Sequence, residues 1–135
     1  MWDAPDHLWF ARSESDVVVL SFPETATDVE VADVLSAMQR WMLARERPAI
    51  WIVDLSKIKS APATQRRMFA EHEARVSASA RKVIRGSAFV APSAWLRGLL
   101  TAVYWLKPPV YPHAIVSTVA EARKWLLEIP AEKSA

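Results

Sequence analysis

The chain has no cysteine. Disulfides, thiol nucleophiles, iron–sulfur clusters and cysteine-held zinc are therefore excluded. It has two glycines, Gly86 and Gly98, well separated. A phosphate-cradling loop needs two or three glycines in one short stretch, so neither standard glycine-rich motif is present. The three histidines, His7, His72 and His113, are far apart in sequence, which argues against a histidine metal site. Long apolar runs are missing too. The most apolar stretch, 98–106, is bounded by Arg97 and Lys107 and is far shorter than the roughly 20 residues of a membrane span. The opening Met1-Trp2-Asp3-Ala4-Pro5-Asp6-His7 has no basic segment followed by an apolar run, so no signal peptide is expected. The expectation is a cytoplasmic protein without a transmembrane segment.

What is present suits one globular domain: 135 residues, 52% of them hydrophobic, with seven tryptophans. Charge is unevenly spread. Residues 1–33 hold eight acids against Arg12 alone, leaving −7, whereas residues 57–85 hold eight bases against Glu71 and Glu73, leaving +6. Two readings of the basic stretch stand: a surface for an anionic partner, or a solvated face opposite an acidic one. Because the two halves nearly cancel, no nucleic-acid partner is expected; peripheral lipid contact is the lesser expectation.

The hydrophobic pattern predicts five strands and four helices. Leu8–Arg12 and Val17–Phe22, joined by the polar turn 13–16, read as an N-terminal hairpin. Thr27 stands three before Glu30, a capping box, and Val31, Val34, Leu35, Met38, Trp41 and Met42 follow at helical spacing to about Arg45. Residues 50–55 are apolar on both parities until Asp54, as in a strand covered on both faces. Pro62 suits the first turn of a second helix, capped by Ser60 or Ala61, with Met68, Phe69, His72 and Val76 inside, ending near Arg81. Val83–Val90 reads as another strand, Ala94–Lys107 as a third helix after Pro92-Ser93, and Tyr111–Ser117 as the last strand. Thr118 and Glu121 open a fourth helix that Pro130 stops. The predicted core comprises Val18, Leu20, Val31, Leu35, Met38, Ile50, Ile52, Val53, Phe69, Val76, Ile84, Phe89, Val90, Leu99, Val103, Ile115, Val116, Trp125 and Leu126. Strands alternating with helices imply a largely parallel sheet with right-handed crossovers.

This order resembles the SpoIIAA-like superfamily, which holds the STAS and bacterial STAS/SEC14-like domains. The residues carrying the likeness are Ile52-Val53-Asp54-Leu55-Ser56, then Arg66-Arg67 in the next helix, and the closing segment Thr118-Val119-Ala120-Glu121-Ala122-Arg123-Lys124-Trp125-Leu126. The resemblance covers about residues 7–129, leaving 1–6 as an arm and 130–135 as a frayed tail. It implies an α/β fold: a STAS-like five-stranded, mostly parallel sheet with consecutive strands as neighbours, an N-terminal hairpin and four helices. In signalling STAS domains a phosphorylatable serine follows an aspartate at the start of the helix after the Asp-bearing strand. Here the matching region is Ser60-Ala61-Pro62-Ala63-Thr64-Gln65, without that Asp-Ser pair. Thr64 is the nearest acceptor, beside Arg66 and Arg67; its other reading is an ordinary first-turn residue.

No catalytic constellation stands out. Ser56 and Ser60 have no nucleophile elbow or positioned histidine, and no carboxylate pair suggests glycosidase work. No catalytic residue, metal or cofactor is expected. Asp54 ends a covered strand and either meets a ligand or accepts backbone N–H bonds from the next loop; Asp54, Ser56, Thr64 and Arg66 form the candidate ligand or loop site. His72, on an inner stripe, reads as a satisfied core histidine. The third helix has almost no polar face, so it is either covered within the monomer or part of an interface. Its candidate contact residues are Trp95, Leu96, Tyr104 and Trp105. The leading expectation is a non-enzymatic regulatory module that binds a protein partner or forms a homodimer through this helix. The alternative is a domain that binds a small apolar, lipid-like ligand.

Overall fold

The computed structural model describes residues 4–12, 17–45, 47–78, 84–106 and 111–129, with the side chains of 12, 77 and 103–106 outside that description. The expected turn 13–16, Val83, Lys107 and the tail 130–135 also fall outside it.

The elements run β1 (Phe10–Arg12), β2 (Val17–Ser21), α1 (Asp28–Ala44), β3 (Ala49–Asp54), α2 (Ala63–Ser77), β4 (Ile84–Val90), α3 (Ala94–Leu106), β5 (His113–Val116) and α4 (Val119–Leu126). The fold is α/β, with a five-stranded sheet in the order β1-β2-β3-β4-β5 and four helices. β1 pairs antiparallel with β2; the other three pairings are parallel.

That monotonic order decides where the helices go. Each crossover from β2 to β5 steps in the same direction, and right-handed connections then place α1, α2 and α3 on one face. Val18, Leu20, Trp51, Val53 and Phe89 point into that helical layer. Ile52, Ala88 and Val90 point to the other face, which α4 covers with Ala122 and the half-buried Trp125. One extra residue in β4 shifts its register against β3 between Ala49 and Ile50. Gly86 follows, and a Cβ there would stand 2.8 Å from Ile129 Cδ1 and 3.4 Å from the Trp125 ring. The missing side chain is what lets Trp125 and Ile129 lie close on the sheet.

Several predicted boundaries move, each for a local reason. β1 starts at Phe10 because the His7 ring Nδ1 accepts the Trp9 N–H at 3.1 Å and the chain turns there, leaving Leu8 in solvent. Of the expected arm, Pro5 is buried and Ala4 lies against the core. α1 has its full capping box: Glu30 N–H donates to Thr27 Oγ1 at 3.1 Å, and Thr27 N–H donates to Glu30 Oε1 at 2.9 Å. α2 starts one residue later than expected, with Pro62 itself at the cap position and no side-chain cap. At α4, Thr118 Oγ1 accepts from Glu121 N–H, but the Glu121 carboxylate takes the Ser117 N–H at 3.1 Å. That bond ends β5 at Val116. The wholly buried Trp51 (0% exposed) is the largest fully buried side chain, with Phe10 and Trp41 rings 5.9 and 5.5 Å from its own. The predicted core residues Phe69, Val76, Leu99, Ile115, Val116, Trp125 and Leu126 are only half-buried, and the side chain of Val103 lies outside the description.

Candidate functional site

α2 faces two neighbours, and its residues divide between them. Toward α1, His72 is 2% exposed and its Nδ1 lies 3.0 Å from Gln39 Nε2. Burial, assisted by the Arg75 cation, lowers its pKa to about 4, so the ring is neutral at pH 7. It is the satisfied core histidine that its spacing predicts.

Toward α3, the residues Arg66, Phe69 and Glu73 lie at intervals of three and four, hence on one stripe. Between this stripe and α3 is a half-open cleft of about 90 Å³. Its floor is Val53, Leu55 and Phe89, at the carboxyl ends of β3 and β4; its α3 wall is Leu96, Leu99 and Leu100. Ile58 and Ala61, from the loop before α2, close one end. The lining is almost wholly carbon. A smaller hollow of about 60 Å³ adjoins it and shares Ile58, Ala61, Arg66 and Phe69. Gln65 borders that hollow, donating through Nε2 to Ala26 O at 2.7 Å and Asp28 Oδ1 at 3.1 Å.

Two charged side chains belong to the cleft. Arg66 is half-buried between the two hollows and donates through Nη1 to Ala61 O. Among the described residues its remaining guanidinium N–H groups have no acceptor. Glu73, two turns further along, accepts the Tyr111 hydroxyl at Oε2, 2.5 Å away. Burial pushes its carboxyl pKa up, against the smaller downward pulls of the Tyr111 hydroxyl and the His113 charge.

The four residues of the expected ligand or loop site are not brought together. Asp54 Oδ1 accepts the Ser56 N–H at 2.9 Å, forming the local turn that its position allows. Ser56 and Thr64 are exposed and do not line the cleft; Arg66 alone of the four does. The four α3 residues separate as well. Trp95 is 51% exposed, while Leu96 is 5% exposed and sits in the core, so it offers no surface to a partner. The side chains of Tyr104 and Trp105 lie outside the described residues. Sequence reasoning missed Phe69, Glu73, Leu99, Leu100 and Tyr111 as site residues. The α2 stripe Arg66–Phe69–Glu73 was the available signal; nothing in the sequence marks Tyr111 as the partner of Glu73.

Among the described residues no three histidine or acidic side chains group as metal ligands, and no helix is long and apolar enough to cross a membrane. No protein-family model, curated protein or solved structure matches the chain.

Proposed function

We propose that this chain is a non-enzymatic binding module of STAS-like type, regulatory in role, that takes a small apolar group in the cleft between α2 and α3. The observation that carries this reading is the cleft itself: a cavity with a carbon lining, opening from the core at the carboxyl ends of two parallel strands. Apolar cavities stay dry and bind apolar guests; one of about 150 Å³ holds benzene. At about 90 Å³ this cleft is smaller, so it suits a fragment of about four carbons rather than a lipid chain. The STAS-like assignment is supported by consecutive strands lying side by side behind an N-terminal hairpin.

The test is titration of the ¹⁵N-labelled chain with primary alcohols from 1-propanol to 1-hexanol. Saturable amide shifts at residues 53–61, 66–73 and 96–100, with millimolar affinity and lost in Leu99→Trp, are expected. Shifts that never saturate, or that spread evenly over the chain, overturn the reading.

A second reading, a protein contact or homodimer through α3, is favoured by one specific observation: half of the Trp95 side chain is in solvent. Its test is a molecular mass that rises with concentration in light scattering.

A further inference from the structure

We infer that the ligand of the α2–α3 cleft is a short aliphatic carboxylate, its alkyl body in the cleft and its head on the Arg66 guanidinium. The inference rests on the cleft reading above and adds the head group to it.

The argument starts from Arg66. Its guanidinium has five N–H donors in a rigid fork, and Nη1 is engaged by Ala61 O. The side chain is half-buried where the two hollows meet, and among the described residues nothing accepts from its other donors. A guanidinium fork matches a carboxylate bidentately, and one guanidinium balances one negative charge. The neighbouring charges favour the same sign of ligand. Lys57, Lys59 and Arg67 flank the loop and first turn, and the acid nearest Lys59, Glu24, is held by it at 3.2 Å. The other acid of the cleft, Glu73, stands seven residues along α2, about 10 Å away by helical rise, with its carboxyl turned to Tyr111. The apolar walls supply the rest. Leu96, Leu99, Leu100 and Phe89 offer no polar side-chain atom, so whatever fills the cleft beyond the head must be hydrocarbon. The enclosed volume covers about four carbons; further carbons of a longer chain would stay in solvent and add little, which favours a short free acid over a long-chain lipid.

The experiment compares three matched series at pH 7.5 on the full chain: straight-chain carboxylates, primary alcohols and primary ammonium ions of two to eight carbons, each followed by amide shifts. Carboxylates are expected to bind about tenfold more tightly than alcohols of equal length, and ammonium ions more weakly than alcohols. Affinity rises about fourfold per methylene until the cleft is full, then levels off near four to five carbons. In Arg66→Met, which keeps an apolar stem and removes the charge, the carboxylates lose their tenfold advantage and bind no more tightly than alcohols of equal length. Equal binding of carboxylates and alcohols by the unmodified chain, or ammonium ions binding best through Glu73, overturns the carboxylate and leaves the cleft reading standing. An affinity that keeps climbing to eight carbons overturns the short chain. Failure of all three series to bind overturns both.

Discussion

The helical layer is closed between α1 and α2 and open between α2 and α3. In the closed half, α1 and α2 contact directly, a Gln39–His72 pair spans them with the histidine buried, and Trp41 meets Trp51 beneath. In the open half, no hydrogen bond joins α2 to α3 among the described residues, and a cleft lies between their facing residues. Both halves sit on one sheet face and are reached by similar crossovers, so topology does not explain the difference. Side-chain identity does. α1 brings Met38, Met42 and Trp41, large groups that fill the space over Trp51. α3 brings leucines to a floor of one valine, one leucine and one phenylalanine, and their volume stops short. A protein interior normally leaves few voids larger than a water molecule, so the unfilled half is the exception and is where binding is expected.

The largest expected effect separates the halves by alanine truncation. Trp51→Ala opens a cavity in the closed half and should lower stability by about 3–5 kcal/mol in urea denaturation. Loss of the indole also removes a buried Nε1 donor that has no acceptor among the described residues, which trims the effect without reversing it. Leu99→Ala enlarges a space that is already open, on a half-buried residue, and should lower it by about 1 kcal/mol. Equal losses for the two would mean that α3 is packed as tightly as α1.

The sequence carried the fold further than the site. Alternation of strands and helices, the Thr27–Glu30 box and the doubly covered stretch ending at Asp54 all predict elements that the structure has, because each is a local pattern. Trp51, the largest fully buried side chain, falls outside the core that the pattern predicts, which takes its neighbours Ile50 and Ile52, since periodicity cannot rank positions on a strand buried on both faces. The cleft was invisible for a related reason. A void is the difference between the volumes of residues far apart in sequence, and no single segment records it. Asp54 looked like a ligand group because it ends a strand, but its carboxylate is used by the backbone two residues on.

A second test uses the two adjacent titratable residues of α2. His72 faces the closed half and has its pKa lowered to about 4, below its unfolded value of about 6.5. Between those values the unfolded chain binds more protons, so stability is complete above about pH 6.5 and is lost as the pH falls toward 4. The loss amounts to about 3 kcal/mol. Glu73 borders the open half and has its pKa raised, so its contribution has the opposite sense: present at low pH and lost as pH rises through the folded value. His72→Gln, which keeps a polar group for Gln39, should flatten the stability profile between pH 7 and 4. Glu73→Gln should raise stability slightly at pH 7 and steepen the acid loss. An unchanged profile in His72→Gln would show that the closed half does not hold a neutral histidine.

The smallest expected change in fold stability is at Trp95, where the open half meets solvent. A tryptophan buries about 150–250 Å² when covered. With 51% of it exposed, roughly 100 Å² is left for a partner, worth about 2.5 kcal/mol if a contact covers it. A two-fold contact would present that patch twice, about 5 kcal/mol before the loss of rigid-body freedom, which alone makes a weak dimer. Weakness is therefore part of the prediction: self-association through Trp95 should appear in light scattering only at high micromolar concentration. Trp95→Glu should abolish it while lowering fold stability by about 1 kcal/mol or less, because Leu96, its buried neighbour, still anchors the helix. If the unmodified chain keeps a monomer mass throughout that range, the homodimer is wrong. If Trp95→Glu instead unfolds the chain, the exposed half of the ring is no measure of its role, and α3 belongs to the closed part of the molecule after all.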